Sequence, residues 1–449
     1  MSLNAIEQYI LELINRARLD PSAEAQRYGL GLNVGLKAGT ISTTPKQVLA
    51  PNEYLEVASE QHSVWMLSSD VFSHTGQAGS SPGMRMLDAG YDFAGTWSWR
   101  ENLAWTGTTG TLDLQNAADV HHDGLYRSEG HRANTFATDI REIGVAQIQG
   151  KFTNDNTTYN ASMLTLNFAQ SGSDLFLTGV AFSDEDSDGF YDVGEGIDDL
   201  TVVLNDEVSE VSLSGGYANA GAPDGNAQVE LFRSGELVSV LEIDLGKENA
   251  KLDYVIDPSK EEWVYASQDL KLISGLSNAK LLGAGNIDLT GSAANNELLG
   301  NAGQNDIRGG AGNDILRGGV GRDGTWHSTN KTSNSDTLLG GSGNDRLYGQ
   351  SGADSLDGGA GDDILKGGGG RDSFVFSEGS DTILDFAETV DQLILKTENL
   401  GVDDLTASTL ADFASVTGND LLLDFGNGHQ LVLEGIGSLT LITDDILFG

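Results

Sequence analysis

Residues 309–317 read GGAGNDILR, and the same nine-residue phrase returns as GQSGADSLD at 349–357, GGAGDDILK at 358–366 and GGGGRDSFV at 367–375. The period of nine puts Asp314 and Asp323 one repeat apart and spaces Asp336, Asp345, Asp354, Asp363 and Asp372 evenly. Glycine permits the backbone angles of a tight turn, while aspartate carboxylates and turn carbonyls are the oxygen ligands that calcium takes. Leu316, Leu338, Leu347, Leu356, Leu365 and Phe374 each follow an aspartate by two residues, so they point inward from a short strand. Ligand and core residue are thus written into one repeat, and stacked repeats predict a parallel β-roll. Asn296 and Asn305 stand where aspartate is expected, so the first turns should bind calcium weakly or cap the roll. Asp323 and Asp336 are 13 residues apart, one period plus four, and the stretch WHSTNKTSN at 326–334 is expected to bulge from the roll. A disordered acidic linker has no reason to keep aspartate and leucine in phase.

The rest of the chain explains why such a module is attached. The 449 residues carry a formal charge of -42, of which residues 1–173 contribute -7 and residues 174–449 contribute -35. An acidic field of this size repels nucleic acid and anionic lipid and attracts cations. With no cysteine, disulfides and thiolate-bound zinc are excluded. The first 20 residues are amphipathic, without a basic leader or an apolar stretch behind it. No run of about 18 apolar residues occurs anywhere, so no transmembrane segment is expected.

The patterning predicts a multidomain chain. Residues 1–173 carry helical periodicity at Ile6, Tyr9, Ile10, Leu13, Ile14 and Ala17, again from Asn52 through Met66, and near Leu112 to Leu125. Strands are expected around Ile143 to Ile148 and Ser162 to Phe168. This reads as an α+β or αβα-sandwich domain. Residues 174–257 turn to short β-stretches and read as a small β-sandwich. Residues 258–290 are transitional, 291–376 hold the roll, and 377–449 alternate apolar strands with polar turns as a β-rich cap.

Inside the sandwich, residues 184–195 read DEDSDGFYDVGE. Asp184, Asp186 and Asp188, the carbonyl of Phe190, then Asp192 and Glu195 match the ligand positions of a twelve-residue EF-hand loop, with Gly189 at its sharp turn. The flanks are β-like, which predicts a static calcium staple rather than an opening sensor. An acidic β-turn is the plainer alternative.

Five of the seven histidines, His62, His74, His121, His122 and His131, fall within 70 residues of the first domain, with Glu101 and Glu129 among them. Imidazole binds zinc or another divalent ion, or moves protons near neutral pH. No HExxH or GxSxG is present to specify a metalloprotease or serine hydrolase. His62, on a helical face with Trp65 and Met66, reads as a core histidine. Trp97, Trp99 and Trp105 read as ligand contacts or as core.

The nonapeptides resemble those of RTX, or hemolysin-type, calcium-binding proteins over residues 300–323 and 336–376. SDTILDFAETVDQLIL at 380–395 resembles the segment that closes such rolls. This implies export by a type I secretion apparatus, with an uncleaved C-terminal signal that fits ITDDILFG. LINRARLDPSAEA at 13–25, HSVWM at 62–66, FSHTG at 72–76, RENLAW at 100–105, SEGHRANTF at 128–136 and EIGVA at 142–146 resemble the bacterial branch of the CAP superfamily, also called SCP or cysteine-rich secretory proteins. That resemblance implies an αβα sandwich with a cleft holding two histidines and commonly two acidic residues. His74, Glu101 and His131 match by motif. The fourth position is open between His122 and Glu129, both written here as candidate catalytic residues.

Together these readings imply a secreted, extracellular or loosely surface-associated protein that binds several calcium ions. Its CAP cleft is expected to take a peptide, glycan or lipid, with zinc or another divalent ion held by the histidines. The alternatives are a metal-assisted hydrolase with Glu101 as general base, and a structural or adhesive protein on a calcium-stiffened stalk.

Overall fold

Residues 3–222, 225–319, 335–402 and 405–449 are described by a computed structural model. They form two units, one of Met1–Val238 with Asp244–Glu262 and one of Ser239–Ile243 with Trp263–Gly449.

In the first unit, helix α1 (Ala5–Leu19) starts at a capping box. The Asn4 side chain accepts from the backbone N–H of Ile6 and Glu7, and Glu7 accepts in return from the Asn4 N–H. Asp20 ends α1 and caps α2 (Pro21–Arg27), with Pro21 in the first turn, where its missing N–H costs nothing. Helix α3 (Glu53–Ser69), α4 (Pro82–Ala89), α5 (Leu114–Arg127) and α6 (Glu129–Thr135) surround a four-stranded sheet. Its strands are β1 (Ala50–Pro51), β2 (Trp97–Thr108), β3 (Glu142–Asn154) and β4 (Thr157–Ser171), in the order β1-β3-β4-β2. Helix α3 lies so close to β3 that a Cβ at Gly144 would stand 2.0 Å from the Leu55 carbonyl carbon. Glu7 and Gln147 join α1 to β3 on the other face, giving the αβα layering. Strand β2, which carries Glu101, is a sheet edge, and an edge leaves one side open for a cleft.

The same unit continues into β5 (Leu175–Ser183), β6 (Leu200–Leu204), β7 (Glu207–Glu210), β8 (Gly216–Ala222), β9 (Asn226–Arg233) and β11 (Ala250–Ile256); Ser239–Ile243 of β10 (Glu236–Asp244) is counted with the second unit. Strand β5 pairs with β8 and β11, and β6 pairs with β7 and β9. This β-module is bound to the αβα domain by buried polar contacts. Lys251 Nζ meets Glu12 Oε2 at 2.9 Å and also pairs with Asp253, while the Asn249 amide donates to the carbonyls of Val48 and Arg141.

The second unit is a parallel roll. Its strands alternate between two stacks, so each returns beside the one two before it. One stack aligns Ala279, Leu298, Leu316, Leu347, Leu365, Ile383 and Leu433, the other Leu270, Leu289, Ile307, Leu338, Leu356, Phe374, Leu393 and Ile446. All are buried. The parallel pairing already begins at Trp263, so the transitional residues 258–290 contribute the first coils. Val240–Ile243 pairs antiparallel with Leu270–Ser274 and covers one edge there; Asp420–Gly426 covers another beside His429–Leu433.

The nine-residue period is interrupted between Asp314 and Asp336. Asp323 and residues 326–334 lie outside the described residues. Asp336, not Asp323, occupies the turn above Asn305, whose N–H donates to Asp336 Oδ1 at 2.9 Å, with Ile307 in register with Leu338. Asp314 and Asp336 are therefore successive turns separated by 22 residues instead of nine. Asp336 thus lies within the turn column, as the reading of the preceding stretch as a bulge from the roll requires.

Candidate functional site

The loop after α3 brings His74 to Glu101 on β2. Nδ1 of His74 lies 2.8 Å from Oε1 of Glu101, and Arg85 of α4 holds Oε2. Arg85 also donates to the carbonyls of His74 and Ser80, so one guanidinium fixes both the carboxylate and the loop. Glu101 is buried, whereas the His74 side chain is 56% exposed. A carboxylate accepts only, so His74 donates from Nδ1 and that bond fixes the orientation of its ring. His131, on α6, sits with its ring centroid 6.4 Å from that of His74. Burial, then the neighbouring His74, lowers its pKa. Asn102 and Asn134 tie β2 to α6 through the His131 carbonyl and the Glu101 carbonyl.

The other candidates fall elsewhere. His121 and His122 are adjacent on a helix and point apart. His121 Nε2 lies 2.9 Å from Ser162 Oγ in the core, and His122 Nε2 lies 2.6 Å from the buried Glu24. His122 is a buried hydrogen-bond partner of Glu24 and does not complete the cleft set. Glu129 is exposed at the start of α6 and lies over Gly35, where a Cβ would overlap its carboxylate. Arg132 of the same motif is a clamp, donating to the carbonyls of Leu32, Tyr126 and Val34. His62 is buried, bonded to the Ser73 carbonyl and stacked on Trp65. Trp105 packs on Phe152, while Trp97 and Trp99, which alternate with Glu101 along β2, are 54% and 37% exposed. Arg85 was missed in the sequence; Ser81 and Pro82 mark the start of its helix but not its meeting with Glu101.

Zinc fits this cleft poorly. Catalytic zinc takes three protein ligands, but both Glu101 oxygens are engaged, leaving two imidazoles. Among the described residues the group of three or more metal-capable side chains that converges is Asp184, Asp186 and Asp188, with ligand oxygens within 4.8 Å of one another. Around them the loop is already folded. Asp184 accepts from the Ser187 and Gly189 N–H, and Glu195 from those of Glu185 and Asp192. Burial raises the pKa of Asp184, Asp188, Asp192 and Glu195, and mutual repulsion adds to it. A cation would relieve both costs. The loop follows β5 and is seated on α1, with Phe190 edge-on to Tyr9 and under the Arg16 guanidinium.

The roll repeats one cradle in two columns. The N–H of Asn296, Asp314, Asp345 and Asp363 each donates to Oδ1 of the next residue in the series, ending at Asp381. The N–H of Asn305, Asp336, Asp354 and Asp372 does the same, ending at Asp391. Oδ2 of Asp314, Asp336, Asp345, Asp354, Asp363 and Asp372 is buried without a hydrogen bond. A Cβ on Gly309, Gly318, Gly340 or Gly349 would fall 2.2–2.5 Å from that oxygen and within 3 Å of a glycine carbonyl one coil on. Carboxylate and carbonyl oxygens around a gap kept open by glycine suit calcium, which supplies the positive charge these oxygens lack. Burial pushes Asp314, Asp363 and Asp372 up to about 6, Asp336 to about 7 and Asp354 to about 8. Asp381 and Asp391 lie beyond the full nonapeptides: Asp381 keeps only the glycine two residues before it, Gly379, and Asp391 keeps none in the five residues before it.

An αβα domain with a histidine-carboxylate cluster and a calcium-cradling roll define the class. Residues 11–166 are a CAP domain, matching the cysteine-rich secretory protein family, and the RTX calcium-binding nonapeptide repeat matches at 290–324, 332–365 and 348–383. Similar solved structures include an extracellular SCP-domain protein from Bacillus anthracis str. Ames, with 21% identity over 28% of this chain and 35% of that one, at a TM-score of 0.21. An outer surface protein from Borrelia burgdorferi shares 20% identity over 28% and 78%, also at 0.21. The AlgE6R3 subunit of the Azotobacter vinelandii mannuronan C5-epimerase shares 34% over 25% and 72%, again at 0.21. The chain thus spans about a third of the Bacillus protein's length. A comparison with curated proteins finds no match. Among the described residues no helix is long and apolar enough to cross a membrane.

Proposed function

We propose that this is an extracellular protein, exported by a type I apparatus and folded by calcium, whose CAP cleft recognises a peptide, glycan or lipid through His74 and His131. The observation that carries the reading is the Arg85–Glu101–His74 chain, which holds one exposed imidazole in a fixed orientation beside a second. Exposed Trp97 and Trp99 on the same strand face add flat apolar contact area. Calcium at residues 184–195 staples the β-module, and calcium along the roll neutralises an acidic tract that resists collapse where free calcium is scarce.

Ligand capture on immobilised full-length protein in calcium, compared with His74→Ala and His131→Ala, tests the reading. Loss of the captured ligand in both variants is expected. Equal capture by the native protein and both variants would refute a cleft site. A hydrolase is the second reading, favoured by the exposed His74 side chain, which Glu101 orients, as a base. It predicts turnover on peptide, ester or glycan panels that His74→Ala abolishes.

A further inference from the structure

The two columns do not begin as they continue. At their N-terminal end stand Asn296 and Asn305, and each amide nitrogen donates to a backbone carbonyl of the preceding coil. Asn296 Nδ2 reaches the Ser277 carbonyl at 3.1 Å, and Asn305 Nδ2 reaches that of Ile287 at 2.6 Å. Asn301 does the same to Leu282 at 3.0 Å. Where aspartate leaves one oxygen orphaned, asparagine places a donor, so these turns close without a cation.

The backbone differs at the same place. At the second position of each repeat, Gly310, Gly319, Gly341, Gly359 and Gly368 have φ between 93° and 118°, and Gln350 has φ 77°. Ser292 and Asn301 hold that position in the first coils and are not among the described residues with positive φ. The first coils therefore use a different turn. Their interior, Val264, Ala266, Leu270, Leu272, Ala279, Leu281, Leu289, Leu298 and Ile307, is as well buried as that of the later ones, and Val240–Ile243 covers one edge. Packing and backbone pairing here owe nothing to an ion.

We propose that residues 263–308 are a calcium-independent base of the roll, in which the amide groups of Asn296, Asn301 and Asn305 stand in for bound calcium, and against which the calcium-requiring coils from Asp314 onward assemble. Calcium then acts on only part of the roll. The base is the template that gives the first calcium-requiring turns, at Asp314 and Asp336, an N-terminal partner: the N–H of Asn296 and Asn305. The inference is independent of what the CAP cleft binds.

Amide hydrogen exchange on the full-length protein, in chelator and in millimolar calcium, tests it. Peptides from 263–308 should stay protected in both, while peptides from 336–391 should lose protection in chelator by at least about tenfold. Equal loss over both stretches would overturn the proposal. The double variant Asn296→Asp with Asn305→Asp separates amide chemistry from packing. Its base should lose protection in chelator and regain it in calcium. A variant base that stays protected in chelator, or that calcium does not restore, would count against the amides standing in for ions.

Discussion

Nδ1 of His74 lies 2.8 Å from Oε1 of Glu101, and the other oxygen of that carboxylate belongs to Arg85. The carboxylate thus balances a nearly buried guanidinium as well as orienting an imidazole. Glu101→Ala removes the balance and leaves Arg85 a buried unpaired charge, which is expected to cost about 3 kcal/mol of stability. Denaturant unfolding followed by tryptophan fluorescence checks it. Combined with Arg85→Met, the loss should be smaller than the sum of the single losses.

Gly349 faces Asp354 Oδ2, and a Cβ there would lie 2.5 Å from that oxygen and 2.8 Å from the Gly367 carbonyl. Gly349→Ala therefore fills the space the ion needs. Calorimetric titration should find fewer calcium ions bound than in the native protein. Gly124→Ala, on helix α5 with open space around it, should leave the count unchanged and stabilise the helix by up to about 1 kcal/mol.

Burial pushes His62 and His121 down to about 4, from about 6.5 in an unfolded chain. Between those values the unfolded chain binds the extra protons, so the contribution is complete above pH 6.5 and is lost as pH falls toward 4. Glu7 runs the other way. Burial raises it to about 7 from 4.5, so its contribution is lost as pH rises through that window. In saturating calcium, His121→Asn should reduce the fall in stability between pH 6.5 and 4.5 by about 1 kcal/mol per pH unit. An unchanged slope would show that His121 is not held neutral.

Lys251 has its ammonium between Glu12 and Asp253, all three buried. Lys251→Met strands two carboxylates and should cost about 3–5 kcal/mol in urea unfolding. Adding Glu12→Gln and Asp253→Asn to Lys251→Met should recover much of that loss; recovery of none would mean that the methionine side chain, not stranded charge, is at fault.

Much of this architecture is legible locally because its signals are local. A nine-residue phase puts aspartate in a turn and leucine in a strand whatever lies elsewhere, and DEDSDGFYDVGE carries its ligand spacing within one loop. The helix caps at Asn4, Asp20, Asn52 and Ser81 act within three residues of themselves. The cleft is legible only in part. FSHTG, RENLAW and SEGHR mark His74, Glu101 and His131, but nothing near Arg85 in the chain announces that it meets Glu101.

What the sequence alone determined was the roll, its ligand chemistry and the acidic charge that calcium answers, since a repeat states its contacts with its own neighbours over and over. What only the tertiary structure decided was partnership between distant residues. Helical geometry sent His122 to Glu24, 98 residues away, and took it out of the cleft. Strand pairing put Asp336 above Asn305 across 31 residues and carried the columns on to Asp381 and Asp391. Register in a parallel stack is set by which apolar side chains share the core, and that choice is made between coils, not within one.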